Sequence, residues 1–336
     1  TVDNINTTSI NSGQLSNRNK IINGAMVVAQ RGTSFTVSDA FTLDRYKFKI
    51  AGGGAATITQ SSTTPDDFSY SYKVDVTTAD TSVANTDHGV IMHVVEGYNF
   101  APANFGSSAA KTCTLSFYVR SNKTGTYGVA FQNAAQNRSC IQEYTINSAD
   151  TWERKTITIS PDTTGSWNTT NGVGLKITWG LMGGSTYATA DVGNYKSSNL
   201  FLTSNQVNLF DNTSNEWYMT GVQVEIGSTA TDFEHRSFAQ ELALCQRYCQ
   251  VLGGNTSVDF RSTPSFSISN LSHVNIYNFT NSGNLGSPSS MSLITAMSAK
   301  HWIYIDSPVS STTSGGGIMV RANSTTDARF TLSAEL

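Results

Sequence analysis

Thr112-Cys113-Thr114-Leu115-Ser116-Phe117-Tyr118-Val119-Arg120 alternates in polarity along its length. A period of two places Leu115, Phe117 and Val119 on one face and Ser116, Tyr118 and Arg120 on the other, the signature of a strand with one side in a core. Residues 122–125 form a turn signal ending in glycine, and a second strand is expected over 126–132. The same pattern extends upstream through 44–50, with Tyr46, Phe48 and Ile50 on one side, and through 56–60, 70–76 and 89–95. A strand-like run also covers 21–32. Downstream lie 141–146, 154–159, an inward row of Val173, Leu175, Ile177 and Trp179, and a closing strand over 217–226. Many short strands with turn signals between them predict an antiparallel sandwich or jelly roll.

Composition fits this reading. Charged residues make up 13% of the 336-residue chain, against roughly 25% in ordinary globular domains. Polarity comes from Ser, Thr, Asn and Gln, with 27 Gly to make turns. The net charge is −3 and no basic tract occurs, which argues against nucleic acid as a partner. No run of apolar residues is long enough to insert into a membrane. Thr1 to Asn23 lacks a positive region followed by an apolar core, so no secretory signal is read there and synthesis in the cytoplasm of the producing cell is expected.

After the strand Val222-Gln223-Val224-Glu225-Ile226 the pattern changes. Ser237 and Gln240 have capping-box spacing, and Phe238, Leu242, Cys245, Cys249 and Leu252 repeat at helical intervals, with Leu244, Tyr248 and Val251 as a second stripe. A helix over 237–252, stopped by Gly253-Gly254 and buried on two sides, is expected. Beyond it strands are expected over 256–260, 266–268, 273–279, 290–296, 301–305, 317–321 and 329–333. The expected organisation is all-β: an N-terminal arm (1–22), a jelly-roll β-sandwich (23–236), one short helical junction (237–254) and a smaller C-terminal β-domain (255–336).

No catalytic constellation assembles. His88, His93, His235, His273 and His301 are dispersed, and alternation puts His88 and His93 on opposite strand faces. Carboxylates such as Asp66, Glu143, Glu153 and Glu234 cannot be paired across a cleft from the sequence, so no glycosidase pair is assigned and the chain is read as a non-enzyme. Four cysteines are too few for a disulfide framework; Cys245 and Cys249, one helical turn apart, are read as core, and no metal ligand set or cofactor is assigned. Glu234-His235-Arg236 looks like an active site and is read as a charged turn that fixes the strand-to-helix junction. Asp44-Arg45 is read in the same way, as a buried or interfacial pair.

These blocks carry a family resemblance. Asn23-Gly24, then 30–35 (Gln-Arg-Gly-Thr-Ser-Phe), then Asp44-Arg45-Tyr46, 221–228 (Gly-Val-Gln-Val-Glu-Ile-Gly-Ser), 233–236 (Phe-Glu-His-Arg), 241–248 (Glu-Leu-Ala-Leu-Cys-Gln-Arg-Tyr) and the terminal Ala334-Glu335-Leu336 come in an order that resembles bacteriophage tail-fibre and virion-fibre proteins with a carbohydrate-binding-module-like jelly roll. The resemblance spans nearly the whole chain, and 221–248 is its most specific part.

The resemblance implies a structural component of the virion: a fibre or fibre-tip protein, often trimeric, that contacts host-surface polysaccharide. Its contacts with other virion proteins would run through the arm or through the junction residues Glu234, His235, Arg236, Phe238, Leu242, Cys245 and Tyr248. Two alternatives stay open: a capsid decoration or head-fibre protein without a receptor role, and a bacterial carbohydrate-binding module. A sugar site needs an aromatic surface and planar hydrogen-bonding groups. Outward Tyr118, Arg120, Gln132 and Lys176 would share one sheet face if their strands are neighbours, with Trp167 and Tyr187 at its rim. The jelly-roll class also suggests structural calcium at Glu225, but its oxygen ligands cannot be counted from sequence.

Overall fold

The computed structural model describes residues 9–10, 13–14, 17–253, 290–294, 302–306, 329–333 and 335. Two compact units divide the chain, Thr1–Cys245 with Leu336, and Gln246–Glu335. In the first, β1 (Ser9–Ile10) and β2 (Gly13–Gln14) form a small hairpin. The sandwich strands follow: β3 (Ser34–Phe35), β4 (Asp39–Phe41), β5 (Tyr46–Ala51), β6 (Ala55–Ser61), β7 (Ser71–Thr78), β8 (His88–Glu96), β9 (Cys113–Ser121), β10 (Gly125–Gln132), β11 (Ser139–Ile146), β12 (Glu153–Ile159) and β13 (Val173–Gly183). A helical turn, α1 (Gly97–Phe100), follows β8; β14 (Ala188–Thr189) and β15 (Leu202–Thr203) form a minor parallel pair; β16 (Glu216–Ile226) and helix α2 (Phe238–Gln246) complete the unit.

Two six-stranded sheets face each other, a front sheet ordered β11-β10-β13-β8-β5-β4 and a rear sheet ordered β12-β9-β16-β7-β6-β3. All their pairings are antiparallel. The architecture is the expected all-β jelly-roll sandwich with one short helix. The inward rows meet between the sheets: Phe117 of the rear sheet packs edge-on against Trp179 of the front sheet with centroids 6.0 Å apart. Leu115, Phe117, Val119, Leu175, Ile177 and Trp179 are all fully buried. Each such side chain contributes on the order of 1.5–3 kcal/mol on leaving water.

Four expectations change. First, β9 and β10 are consecutive but belong to different sheets, so Tyr118 and Arg120 do not share a face with Gln132 and Lys176. The connection turns at Gly125, whose φ of +126° suits glycine and whose Cβ would meet Val207 Cγ1 at 2.5 Å. Second, a bulge between Val173 and Leu175 breaks the period of two, and Val173 leaves the inward row for the outer face.

Third, 21–32 is a series of bends and turns rather than a strand. Asn23 and Met26 have φ of 61° and 58°, which end extended pairing. Ile21, Ile22, Met26 and Val28 are nevertheless buried, so the arm assigned to 1–22 gives up its last residues to the sandwich. Fourth, the helix ends at Gln246, and Cys249–Gly253 is a strand, β17, paired with Arg329–Ser333. The apolar, partly β-branched residues that prolonged the helical period satisfy a strand equally well, and a pairing partner from the end of the chain decides between the two. The helix buries Glu241 and Cys245 and leaves Phe238 and Leu244 exposed, so it is not apolar-buried on two sides.

In the second unit, Ser290–Ile294 pairs with Trp302–Asp306 as β18 and β19, and Arg329–Ser333 is β20. These three match the strands expected there. The strands expected over 256–260, 266–268, 273–279 and 317–321 lie outside the described residues.

Candidate functional site

The outer face of the front sheet is built from three register rows. Phe41, Lys47, Met92, Thr178 and Ala130 stand opposite one another across five strands. Beside them run Asp39, Lys49, Val90, Gly180 and Gly128. On the other side run Val94, Lys176 and Gln132. All these residues point away from the core because their sequence neighbours, such as Phe48, Ile91, Ile177 and Phe131, fill it.

The 184–207 connection covers one end of this face. Gly128 and Gly180 oppose each other there, and a Cβ on either would lie within 3.0 Å of Thr203 or Leu202. Leu202 and Phe201 thereby pack on Val90, Ala130 and Ile141 as a second small core. Tyr187 stacks on Phe201 at 4.7 Å, and the ring of His88 sits edge-on to both. The uncovered part is a groove of about 360 Å³. Tyr187 walls one side and Phe41 another, while Val90, Met92, Val94 and Thr178 form the floor. Asn199, Gln136, Lys47, Lys49 and Lys176 supply its polar groups. Three inter-strand spacings separate β13 from β4, about 14 Å, and the volume lies within the range of small-ligand sites.

Its electrostatics are one-sided. Among the described residues, no aspartate or glutamate lines the groove. Lys47 pairs with Asp39 at 2.6 Å on the edge strand and lies 5.9 Å from the Phe41 ring centroid. Burial, with Lys49 and Lys47 adding their charges, lowers the Lys176 ammonium to about 8.

Of the residues singled out from sequence, Lys176 and Tyr187 line the groove. Gln132 lies beside Lys176, and its Nε2 donates to Asn199 Oδ1 at 2.9 Å. Tyr118 and Arg120 lie on the rear sheet, where Arg120 donates to Asp150 and caps the Tyr218 ring. Trp167 is not a rim residue: it is 8% exposed, packs on Phe100 and Phe105, and donates Nε1–H to Asp162. Lys47 and Lys49 were missed although Tyr46, Phe48 and Ile50 were placed together on one side; with that side in the core, alternation sends the two lysines outward.

The junction residues form a half-buried clamp around the buried Glu241. Asn19 N donates to Glu234 Oε2 at 2.8 Å, and Arg236 donates to the carbonyls of Ile21 and Asn19. Arg236 pairs with Glu241 rather than Glu234, and Glu241 also accepts from Asn23 N. The ring of His235 lies against Phe68 and Phe233. Ser237 and Gln240 form the expected reciprocal cap at 3.1 and 3.3 Å. Asp44 receives both the backbone N–H and the side-chain amide of Gln30, and Arg45 donates to Val94 O. Both oxygens of Glu225 accept from Thr231. His88 and His93 do fall on opposite faces; His93 is buried, with Nε2 3.1 Å from Ile22 O. Cys113, Cys140, Cys245 and Cys249 are all buried.

No family model and no curated protein matches the chain. Solved structures similar to it include the enzymatically active domain of bacteriophage CBA120 tailspike protein 4, with TM-score 0.35 and 11% identity over 62% of this chain. This chain spans only 21% of that tailspike chain. The family 11 carbohydrate-binding module of the cellulosomal cellulase Lic26A-Cel5E of Clostridium thermocellum gives TM-score 0.31 and 10% identity, covering 59% of this chain and 96% of the module. The CBM22-1–GH10 modules of the Clostridium thermocellum xylanase 10B, complexed with xylohexaose, give TM-score 0.30 and 9% identity, covering 60% of this chain and 30% of that one.

Proposed function

We propose that the sandwich is a non-catalytic saccharide-binding module that seats a glycan in the groove of the front sheet. The carrying observation is the groove itself: Phe41 and Tyr187 stand at its walls, and amides and ammonium groups surround an apolar floor. A pyranose has an apolar ring face and a rim of hydroxyls, so it needs this pairing of aromatic surface with planar or charged donors. Glycoside hydrolysis by the usual pair of carboxylates would need two acids across the bound sugar, and among the described residues the groove lining contains none. Tyr187→Ala and Phe41→Ala, each with an unchanged melting curve, are expected to abolish retention of the chain on a glycan array. Retention equal to that of the unaltered chain would refute the site.

We further propose that the module serves a virion fibre or fibre tip that meets host-surface polysaccharide, assembled as a homotrimer. The ordered blocks from Asn23-Gly24 to 241–248 support this reading. Mass measurement in solution tests it: a stable monomer at working concentration would count against a fibre. Antibody labelling of purified particles distinguishes a tail position from a head decoration.

A further inference from the structure

We infer that the groove takes an acidic saccharide, whose anionic group is held between Lys176 and Lys49. This rests on the groove being a glycan site and adds the charge class of the glycan. Three ammonium groups converge on one face of a chain that carries 21 basic residues against 24 acidic ones. Asp39 at the rim pairs with Lys47 and also stands opposite Lys49 across the β4–β5 ladder. Among the described residues, neither Lys49 nor Lys176 forms an ion pair, and Lys176 stands opposite only Val94 and Gln132.

Lys176 sits in the middle of the sheet face, half-buried, between Val94 and Gln132. An ammonium group withdrawn from water without a counter-charge destabilises the folded chain. Packing alone would favour threonine or valine there, as at Thr178 and Val90 in neighbouring rows. The lowered Lys176 value of about 8 agrees with this cost. A carboxylate or sulfate ester on a pyranose would supply the missing charge, and hydrogen bonds from an ammonium to an anion are about twice as strong as neutral ones. Tyr187 would meet the sugar's apolar face while the anion points to the lysines.

The test applies the intact chain to an array of neutral, uronate-bearing and sulfated oligosaccharides, alongside Lys176→Gln and Lys49→Gln with folds checked by circular dichroism. Retention on acidic glycans is expected, weakened roughly tenfold or more by either substitution and by raising salt. Preference between the uronate and sulfate arms identifies the anion. Equal retention on neutral glycans by the unaltered chain and both variants would overturn the acidic inference and leave the glycan groove standing. Acidic binding that survives both lysine substitutions and Tyr187→Ala would also overturn it, by placing the site elsewhere. Retention on no glycan would overturn both readings.

Discussion

A Cβ atom on Gly180 would lie 2.7 Å from Cδ2 of Leu202, so the connection that carries Tyr187 rests directly on the bare backbone of β13. Gly180→Val is therefore expected to push the 202–206 segment off the sheet. Overpacking of this kind costs about 1–3 kcal/mol, and Tyr187 would lose its backing by Phe201. Urea denaturation measures the first effect and glycan titration the second. A variant with unaltered stability and binding would mean that the segment is not seated as described.

Asp162 is 3% exposed and accepts Nε and Nη2 of Arg138 at 2.8 and 2.6 Å, together with Trp167 Nε1 at 3.1 Å. Arg138→Met strands a buried carboxylate and is expected to destabilise the sandwich by about 3–5 kcal/mol. Lys196→Met removes a solvent-accessible partner of Asp191 and should cost clearly less. Equal losses in the two unfolding curves would show that burial does not set the difference.

His93 ties acid stability to the core. Burial, then the nearby Arg45 charge, lowers it to about 3 from 6.5, against the opposing bond to Ile22 O. The folded value is depressed, so between pH 6.5 and about 3 the unfolded chain holds a proton that the folded chain refuses. Stability is full above 6.5 and is lost as the pH falls, with a slope of up to about 1.4 kcal/mol per pH unit. His93→Gln keeps an amide donor near Ile22 and should flatten this part of the unfolding profile; the same slope in the variant would remove His93 as its cause.

Lys176 is expected to trade stability for binding. Its folded value of about 8 lies below the ordinary 10.5, so its burial costs stability below pH 8, and that cost is relieved as the pH rises from 8 to 10.5. Lys176→Met should therefore raise the melting temperature at pH 7 while weakening retention on acidic glycans. In the unaltered chain that retention should fall as the pH passes 8, with Lys47, Lys49, His88 and Tyr187 as the other titratable groups lining the groove and Asp39 at its rim. A variant that melts lower at pH 7 would contradict the stated cost of the buried ammonium.

The strands were legible in the sequence because alternation is a local property. Tyr46 with Phe48, Leu115 with Phe117, and Ile177 with Trp179 each report one buried face, and all six side chains are in the core. The capping box of Ser237 and Gln240 was local too. Where two periods fitted the same residues, as at Cys249–Gly253, local pattern could not choose and a distant partner strand did.

The candidate site was half legible. Lys176 and Tyr187 line the groove, but Tyr118 and Arg120 share no face with them because β9 is not a neighbour of β10 or β13, and Trp167, expected at the rim from its loop, is packed inside. The sequence by itself determined an all-β chain and the inward and outward side of most strand residues, since both follow from polarity at a period of two. The blocks Asn23-Gly24, Asp44-Arg45, 233–236 and Glu241 were also visible, but only the fold reveals Glu234, Arg236 and Glu241 closing on 19–23 from 215 or more positions away in the chain. Tertiary structure alone decided that β9 and β10 separate into two sheets. It also decided that a bulge turns Val173 outward, and that the 184–207 connection and edge strand β4 bring Tyr187 and Phe41 to one groove with three lysines. Those relationships depend on strand order and on which backbone is bare enough to be packed upon, and neither is encoded in the polarity of any single segment.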